Sequence, residues 1–284
     1  MLNKNPSDKQ HPLESGSPAH LQEGEARTHP LDNLHEPHAR PPRFQLVVAF
    51  PIRRPYVSYT LIAINCFIFL AGVLSPSLGE SAFEFGVLIR RGILARGEYY
   101  RLFTSMFLHA DVIHLFFNMY TLYVIGRSIE WIFGWRRFLL IYLLGGLAGS
   151  LLTLFTIDPR IPSLGASGAI FAVWAAEMVF FYQHRGALGE YARLQLRSLA
   201  IVALMNLLFG LTNPRIGTWA HIGGFLGGAA LTWWLGPRVN TAVNPDYPGA
   251  IIFRSVRFGA ALLPVVVYGV VLAGLVLLGG QLLR

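Results

Sequence analysis

"HADVIHLFFN", residues 109–118, sets two histidines, an aspartate and an asparagine at the mouth of an apolar run that continues as "MYTLYVIG" to Gly126. Polar side chains are expensive where lipid is the solvent, so their presence marks function. The run decides the fold because the chain repeats it. Apolar stretches near or above the ~20 residues that span a bilayer core recur at 57–75, 111–126, 137–156, 165–182, 194–211, 217–235 and 258–280. Backbone in lipid must satisfy its own hydrogen bonds, which leaves helices or closed barrels. No alternating ten-residue pattern suggests a barrel. The expected fold is therefore all-α, a polytopic transmembrane helical bundle of seven helices.

Composition agrees. Hydrophobic residues make up 54% of the 284 positions and charged residues 13%, with a mean hydropathy of +0.48. The net charge of +8 does not imply nucleic acid, because the basic residues lie mainly in short links between apolar runs, as in membrane proteins that keep arginine inside. The one cysteine, Cys66, lies in an apolar run and reads as a structural thiol. Residues 1–45 are rich in Pro, Ser, His and acids and poor in large apolar side chains. Such a segment buries too little surface to offset its ordering entropy, and it is expected to be a disordered tail. Its acids argue against a transit peptide and it has no signal-peptide core. Its five irregularly spaced histidines read as solvated rather than metal-binding.

With the N-terminus inside, eleven arginines fall on the inner side and seven on the outer, so the charge bias favours a cytoplasmic N-terminus. The exception is the long link after the first run, with Arg90, Arg91, Arg96 and Arg101. In this orientation the second, fourth and sixth helices all run from outside to inside. Polar groups two to five residues into them share one depth, roughly 5–10 Å below the outer surface.

Three groups lie at that depth. His114 and Asn118 are four apart and share one helix face, with Asp111 placed to cap the helix and His109 just ahead of it. Ser167 lies in "GASG", residues 165–168, and His221 in "WAHIGGFLGG", residues 219–228. A serine needs a base within hydrogen-bond reach to become a nucleophile, and His221 can be that base if the fourth and sixth helices touch. Gly224 and Gly228, and likewise Gly223 and Gly227, form GxxxG pairs that allow close approach in lipid, and Gly165 and Gly168 thin the chain around Ser167. An oxyanion formed by acyl transfer needs donors aimed at it. The Ser167 backbone N–H, His114 and Asn118 are the candidates. Taken singly, GASG is a common packing motif and His221 could bond a backbone carbonyl. The three histidines could bind zinc, but no Asp, Glu or Cys completes the set convincingly and the five-residue gap from His109 to His114 suits co-ligation poorly, so no metal and no cofactor is expected. His184 falls in an inner link and reads as solvated.

These residues resemble the rhomboid family of intramembrane serine proteases: HxxxxHxxxN as "HADVIHLFFN", GxSG as "GASG", and "AHIGGFLGG", in the family's order over residues 57–235. The resemblance implies a six-helix core over 56–235, a cytoplasmic linker over 236–257 and an additional helix within 258–284, a 6+1 layout. It implies Ser167 as nucleophile, His221 as its base, His114 and Asn118 in the oxyanion hole, and His109 as structural support. The link after the first helix resembles the family's half-submerged first loop, where Tyr100 replaces a usual Trp and Arg101 matches. Glu130 occupies a family position, read as structural. Phe171 stands where an aromatic, often Tyr, packs on the base, and "TNPRIG", 212–217, would be the cap. Glu177, ten residues beyond Ser167, reads as snorkelling or paired.

The implied function is endoproteolysis of transmembrane or membrane-proximal segments near their outer ends, with membrane proteins as substrates, in a multi-pass protein of a bacterial inner membrane. A catalytically inactive scaffold that captures membrane segments is the alternative; retention of both Ser167 and His221 speaks against it. A transporter is weaker still, since no internal repeat with broken helices is visible.

Overall fold

The computed structural model describes residues 48–49, 54–156, 158–212, 217–238, 243–244, 247–252 and 262–282. The tail over 1–45, the central part of the 212–217 cap and the first residues of the seventh run lie outside these. The protein is an all-α polytopic bundle. In chain order its helices are α1 (Tyr56–Leu74), α2 (Pro76–Gly86), α3 (Arg90–Arg96), α4 (Arg101–Thr104), α5 (Val112–Thr121), α6 (Arg127–Phe133), α7 (Trp135–Thr156), α8 (Ser167–Gln183), α9 (Arg185–Thr212), α10 (Thr218–Leu235) and α11 (Leu262–Leu282). A 3₁₀ turn, Ser105–Phe107, follows α4, and a π-helical turn, Leu122–Gly126, joins α5 to α6. Three short strands, β1 (Val48–Ala49), β2 (Val243–Asn244) and β3 (Tyr247–Ile252), form a sheet in the order β1-β3-β2. The segment read as a plain linker over 236–257 thus carries two of these strands.

All seven apolar runs fall on helices. By length and composition alone, α1, α7, α9 and α11 are each sufficient to cross a membrane, and a fifth candidate is the bent pair Arg101–Phe107 with Val112–Phe133, angled at 93°. The remaining two, α8 and α10, have 17 and 18 residues. Both are rich in buried positions, so protein rather than lipid surrounds much of them. The fifth run belongs to a longer α9 that is broken at Gly189, whose φ of 53° interrupts the helical path.

Small residues set the centre. α10 packs most extensively on α7 and α8. A Cβ on Gly224 would collide with the carbonyl of Gly168, and one on Gly228 with the backbone of Ala172, so this GxxxG faces α8. The offset pair faces the other way: a Cβ on Gly223 would lie 2.8 Å from the Ala148 carbonyl of α7, and Gly227 sits between Ala148 and Tyr268 of α11. One helix therefore offers two glycine faces to two neighbours, which draws α10 against the start of α8.

Polar anchors fix the periphery. The Glu130 carboxylate, fully buried, accepts from Val57 N at 2.9 Å, from Ser58 N at 2.7 Å and from Ser58 Oγ at 2.7 Å. The two backbone N–H groups are orphan donors of the first turn of α1, and the carboxyl oxygens satisfy them. Arg101 is buried and donates to the Glu84 carbonyl at 2.7 Å and the Val87 carbonyl at 2.9 Å while pairing with Glu98. It thereby gathers α2, α3 and α4 into one folded unit between α1 and α5.

Candidate active site

Ser167 is the first residue of α8 and is half-buried. The chain enters it through Gly165, whose φ of +125° suits glycine and strains any other residue. Two contacts of the preceding loop hold this entry: Gly165 N donates to the Ser105 carbonyl at 2.9 Å, and Leu88 and Ser163 exchange backbone hydrogen bonds at 3.0 and 2.9 Å. His221 lies in the first turn of α10 and is buried. Its ring stacks on Phe171, one turn beyond Ser167, with centroids 4.2 Å apart and planes 7° from parallel. A Cβ on Gly168 would lie 3.2 Å from the carbonyl of Ala220, the residue before His221. Serine and histidine therefore occupy the same α8–α10 seam at the same level. No hydrogen bond joins their side chains, and His221 Nδ1 is buried without a protein partner. Resting sites often show this slack, which closes when substrate binds.

α5 supplies the third wall. Asp111 caps it as expected, accepting from His114 N at 2.8 Å. His114 and Asn118 both face the Gly165 bend: a methyl group there would lie 2.8 Å from Cε1 and Nε2 of His114 and 3.7 Å from Nδ2 of Asn118. Asn118 is buried and its Nδ2 has no protein partner, so a strong donor stands unspent beside the serine. His109 meets His114 edge-on, centroids 5.1 Å apart, and neither of its buried ring nitrogens has a partner. Beneath the serine is a small cavity of about 20 Å³, bordered by Ser105, Ser150, Thr153, Ser163, Gly165 and Ser167. It is polar and large enough for one water.

Residues 96–238 match the Rhomboid domain family. The chain belongs to the rhomboid family. It is 34% identical over 177 residues to Rhomboid protease GluP of Bacillus subtilis (strain 168), covering 62% of this chain and 34% of that protein. It is 35% identical over 180 residues to RHOMBOID-like protein 2 of Arabidopsis thaliana, covering 59% and 56%. It is also 34% identical over 143 residues to Inactive rhomboid protein 1 of Bos taurus, covering 50% and 16%. The chain thus spans a third to about half the length of the first two relatives. The rhomboid family and the apolar helices make this an integral, multi-pass membrane protein.

Within this rhomboid core some expectations change. His184 is not solvated: it is buried, and its Nδ1 lies 2.7 Å from the Phe180 carbonyl at the end of α8. Of the two readings of Glu177, snorkelling or paired, the paired one holds. The side chain is buried, with Ser128 Oγ 3.4 Å from its Oε1, in a bond that links α8 to α6. Ser105, Ser150 and Thr153 escaped the sequence reading because an isolated hydroxyl in an apolar helix carries no pattern. Only the fold brings them under Ser167.

Proposed function

We propose that this rhomboid is an intramembrane serine endopeptidase that cleaves transmembrane or membrane-proximal segments of membrane proteins with a Ser167–His221 dyad. The observation that carries the reading is the stack of His221 on Phe171, one turn from Ser167, across helices drawn together by glycine. In the reaction Ser167 Oγ attacks the scissile carbonyl and His221 takes its proton. The oxyanion develops beside Asn118 Nδ2, which is buried without a protein partner, His114 and the Ser167 backbone N–H. His221 then protonates the leaving amine, and a water hydrolyses the acyl-enzyme by the same route in reverse.

A helical substrate hides its carbonyls in its own hydrogen bonds, so the preferred substrates carry small or helix-breaking residues near the cut. The arginine bias favours an N-terminus in the cytoplasm and hence a dyad near the outer face. We place the protein in a bacterial inner membrane. Retention of both Ser167 and His221 favours protease over inactive scaffold.

The test is cleavage of a model transmembrane substrate in proteoliposomes by the wild type, Ser167→Ala and His221→Ala. Both variants are expected to fold and to leave the substrate intact. Wild-type-level turnover in either one excludes the dyad.

A further inference from the structure

The end of the bundle opposite Ser167 and His221 is defined by contacts between elements: Glu130 of α6 caps α1, Ser128 of α6 bonds Glu177 of α8, and Gln183 Nε2 of α8 donates to the Trp233 carbonyl of α10 at 3.1 Å. Exposed arginines collect there, namely Arg54, Arg127, Arg136, Arg185 and Arg238. Among the described residues none of the five has a carboxylate within ion-pair distance. The acids at this end are already committed. Glu130 and Glu177 are buried in hydrogen bonds of their own, and Glu190 pairs with Arg193 at 2.7 Å.

Two of these cations each lie over one ring of an aromatic pair, and Arg185 Nη1 also donates to the Tyr182 carbonyl at 2.7 Å. Arg127 Cζ lies 4.5 Å from the ring centroid of Tyr123, and its Nη1 donates to the Tyr123 hydroxyl at 2.9 Å. Tyr59 stacks beside Tyr123 with centroids 6.3 Å apart. Arg185 Cζ lies 4.1 Å from the ring centroid of Tyr182, which has Trp233 as its neighbour at 6.4 Å. In each cluster a guanidinium is fixed over one ring of an exposed aromatic pair, with its charge unneutralised by the protein. A hydroxyl that accepts from arginine keeps its own proton to donate outward. Aromatic pairs of this kind sit at the headgroup level of a bilayer, where the counter-charge available to a fixed cation is a lipid phosphate.

We propose that Tyr59–Tyr123–Arg127 and Tyr182–Trp233–Arg185 are two binding sites for the phosphate headgroups of anionic phospholipids. Guanidinium N–H groups and phenol hydroxyls hold the phosphate, and the rings cover the glycerol and upper acyl segments. The selectivity comes from charge: a zwitterionic lipid brings its own cation and gains less.

The experiment is native mass spectrometry of the full-length protein titrated in detergent with phosphatidylglycerol, phosphatidylcholine or inorganic phosphate. The wild type is expected to retain phosphatidylglycerol in preference to phosphatidylcholine and to be indifferent to inorganic phosphate. Arg127→Gln and Arg185→Gln should each weaken phosphatidylglycerol retention about fivefold, and together they should abolish the preference. Arg127→Lys, which keeps the charge, should retain most of it. Both positions of change are exposed, so folding is checked by an unaltered thermal midpoint in lipid-free detergent. Equal retention of the two lipids by the wild type, full retention by the double Gln variant, or saturation by inorganic phosphate alone overturns the assignment.

Discussion

The His221 imidazole lies flat on the Phe171 ring, 4.2 Å away and within 7° of parallel, so α8 supplies both the candidate nucleophile and the platform that orients its base. Phe171 bears no hydroxyl, and its whole contribution is shape and dispersion. Phe171→Ala should therefore lower kcat about tenfold, since a loosened base is misplaced for proton transfer, with KM nearly unchanged. Phe171→Tyr should retain most of the activity. Steady-state cleavage of a transmembrane substrate in proteoliposomes reads both, and full turnover by the alanine variant removes the ring from the mechanism.

Asn118 carries a buried amide nitrogen with no protein partner, facing the bend before Ser167. If it donates to the developing oxyanion, Asn118→Ala should reduce kcat by on the order of tenfold or more. A change confined to KM would assign it to substrate binding instead.

Gly165 combines a φ of +125° with direct apposition to His114. Gly165→Ala must accept backbone strain of roughly 1–3 kcal/mol and push His114 aside. The thermal midpoint should fall and cleavage should fall further than the stability loss explains. A variant with wild-type kcat would mean that the bend does not set the position of the oxyanion donors.

Glu130 accepts three hydrogen bonds from the first turn of α1. Hydrogen bonds to a charged group are worth about 1.5–3 kcal/mol each. Glu130→Gln should therefore lower the unfolding midpoint clearly in a detergent denaturation series, while kcat per folded molecule stays near wild type. Unchanged stability would show that α1 is held by packing alone.

Hydrogen bonds from Arg96 and Arg101 hold the Glu98 carboxyl down to about 2. A depressed carboxyl pKa contributes stability that is complete above the unfolded value, near 4.3, and that is lost as pH falls from there through 2. Acid unfolding of the wild type should therefore steepen between about pH 4 and pH 2. Glu98→Gln should flatten that part of the profile and lower the neutral-pH midpoint by a correspondingly small amount, because the pair is partly exposed to solvent.

Much of this was legible in the sequence because lipid enforces simple rules. Runs long enough to cross a bilayer had to be helices, and the cap at Asp111, the shared face of His114 and Asn118 and the close approach at Gly224 follow from helical spacing alone. What escaped depends on who faces whom. His184 reads as a link residue until the end of α8 folds over it, and Glu177 reads as interfacial until Ser128 of a distant helix meets it. The short sheet joining residues 48–49 to the segment after α10 pairs positions far apart in the chain, and two of its three strands have only two residues each, too few to leave a periodic signal. The seven apolar runs also overstate what length and composition support, since α8 and α10 are short and largely walled by protein.

The most direct measurement is labelling of the purified, membrane-embedded protein with a serine-directed fluorophosphonate probe, followed by peptide mapping. The dyad predicts a single adduct on Ser167 that forms at least a hundredfold more slowly in His221→Ala, since an unassisted serine is a poor nucleophile. An adduct on another residue, or labelling of Ser167 at an undiminished rate without His221, contradicts it.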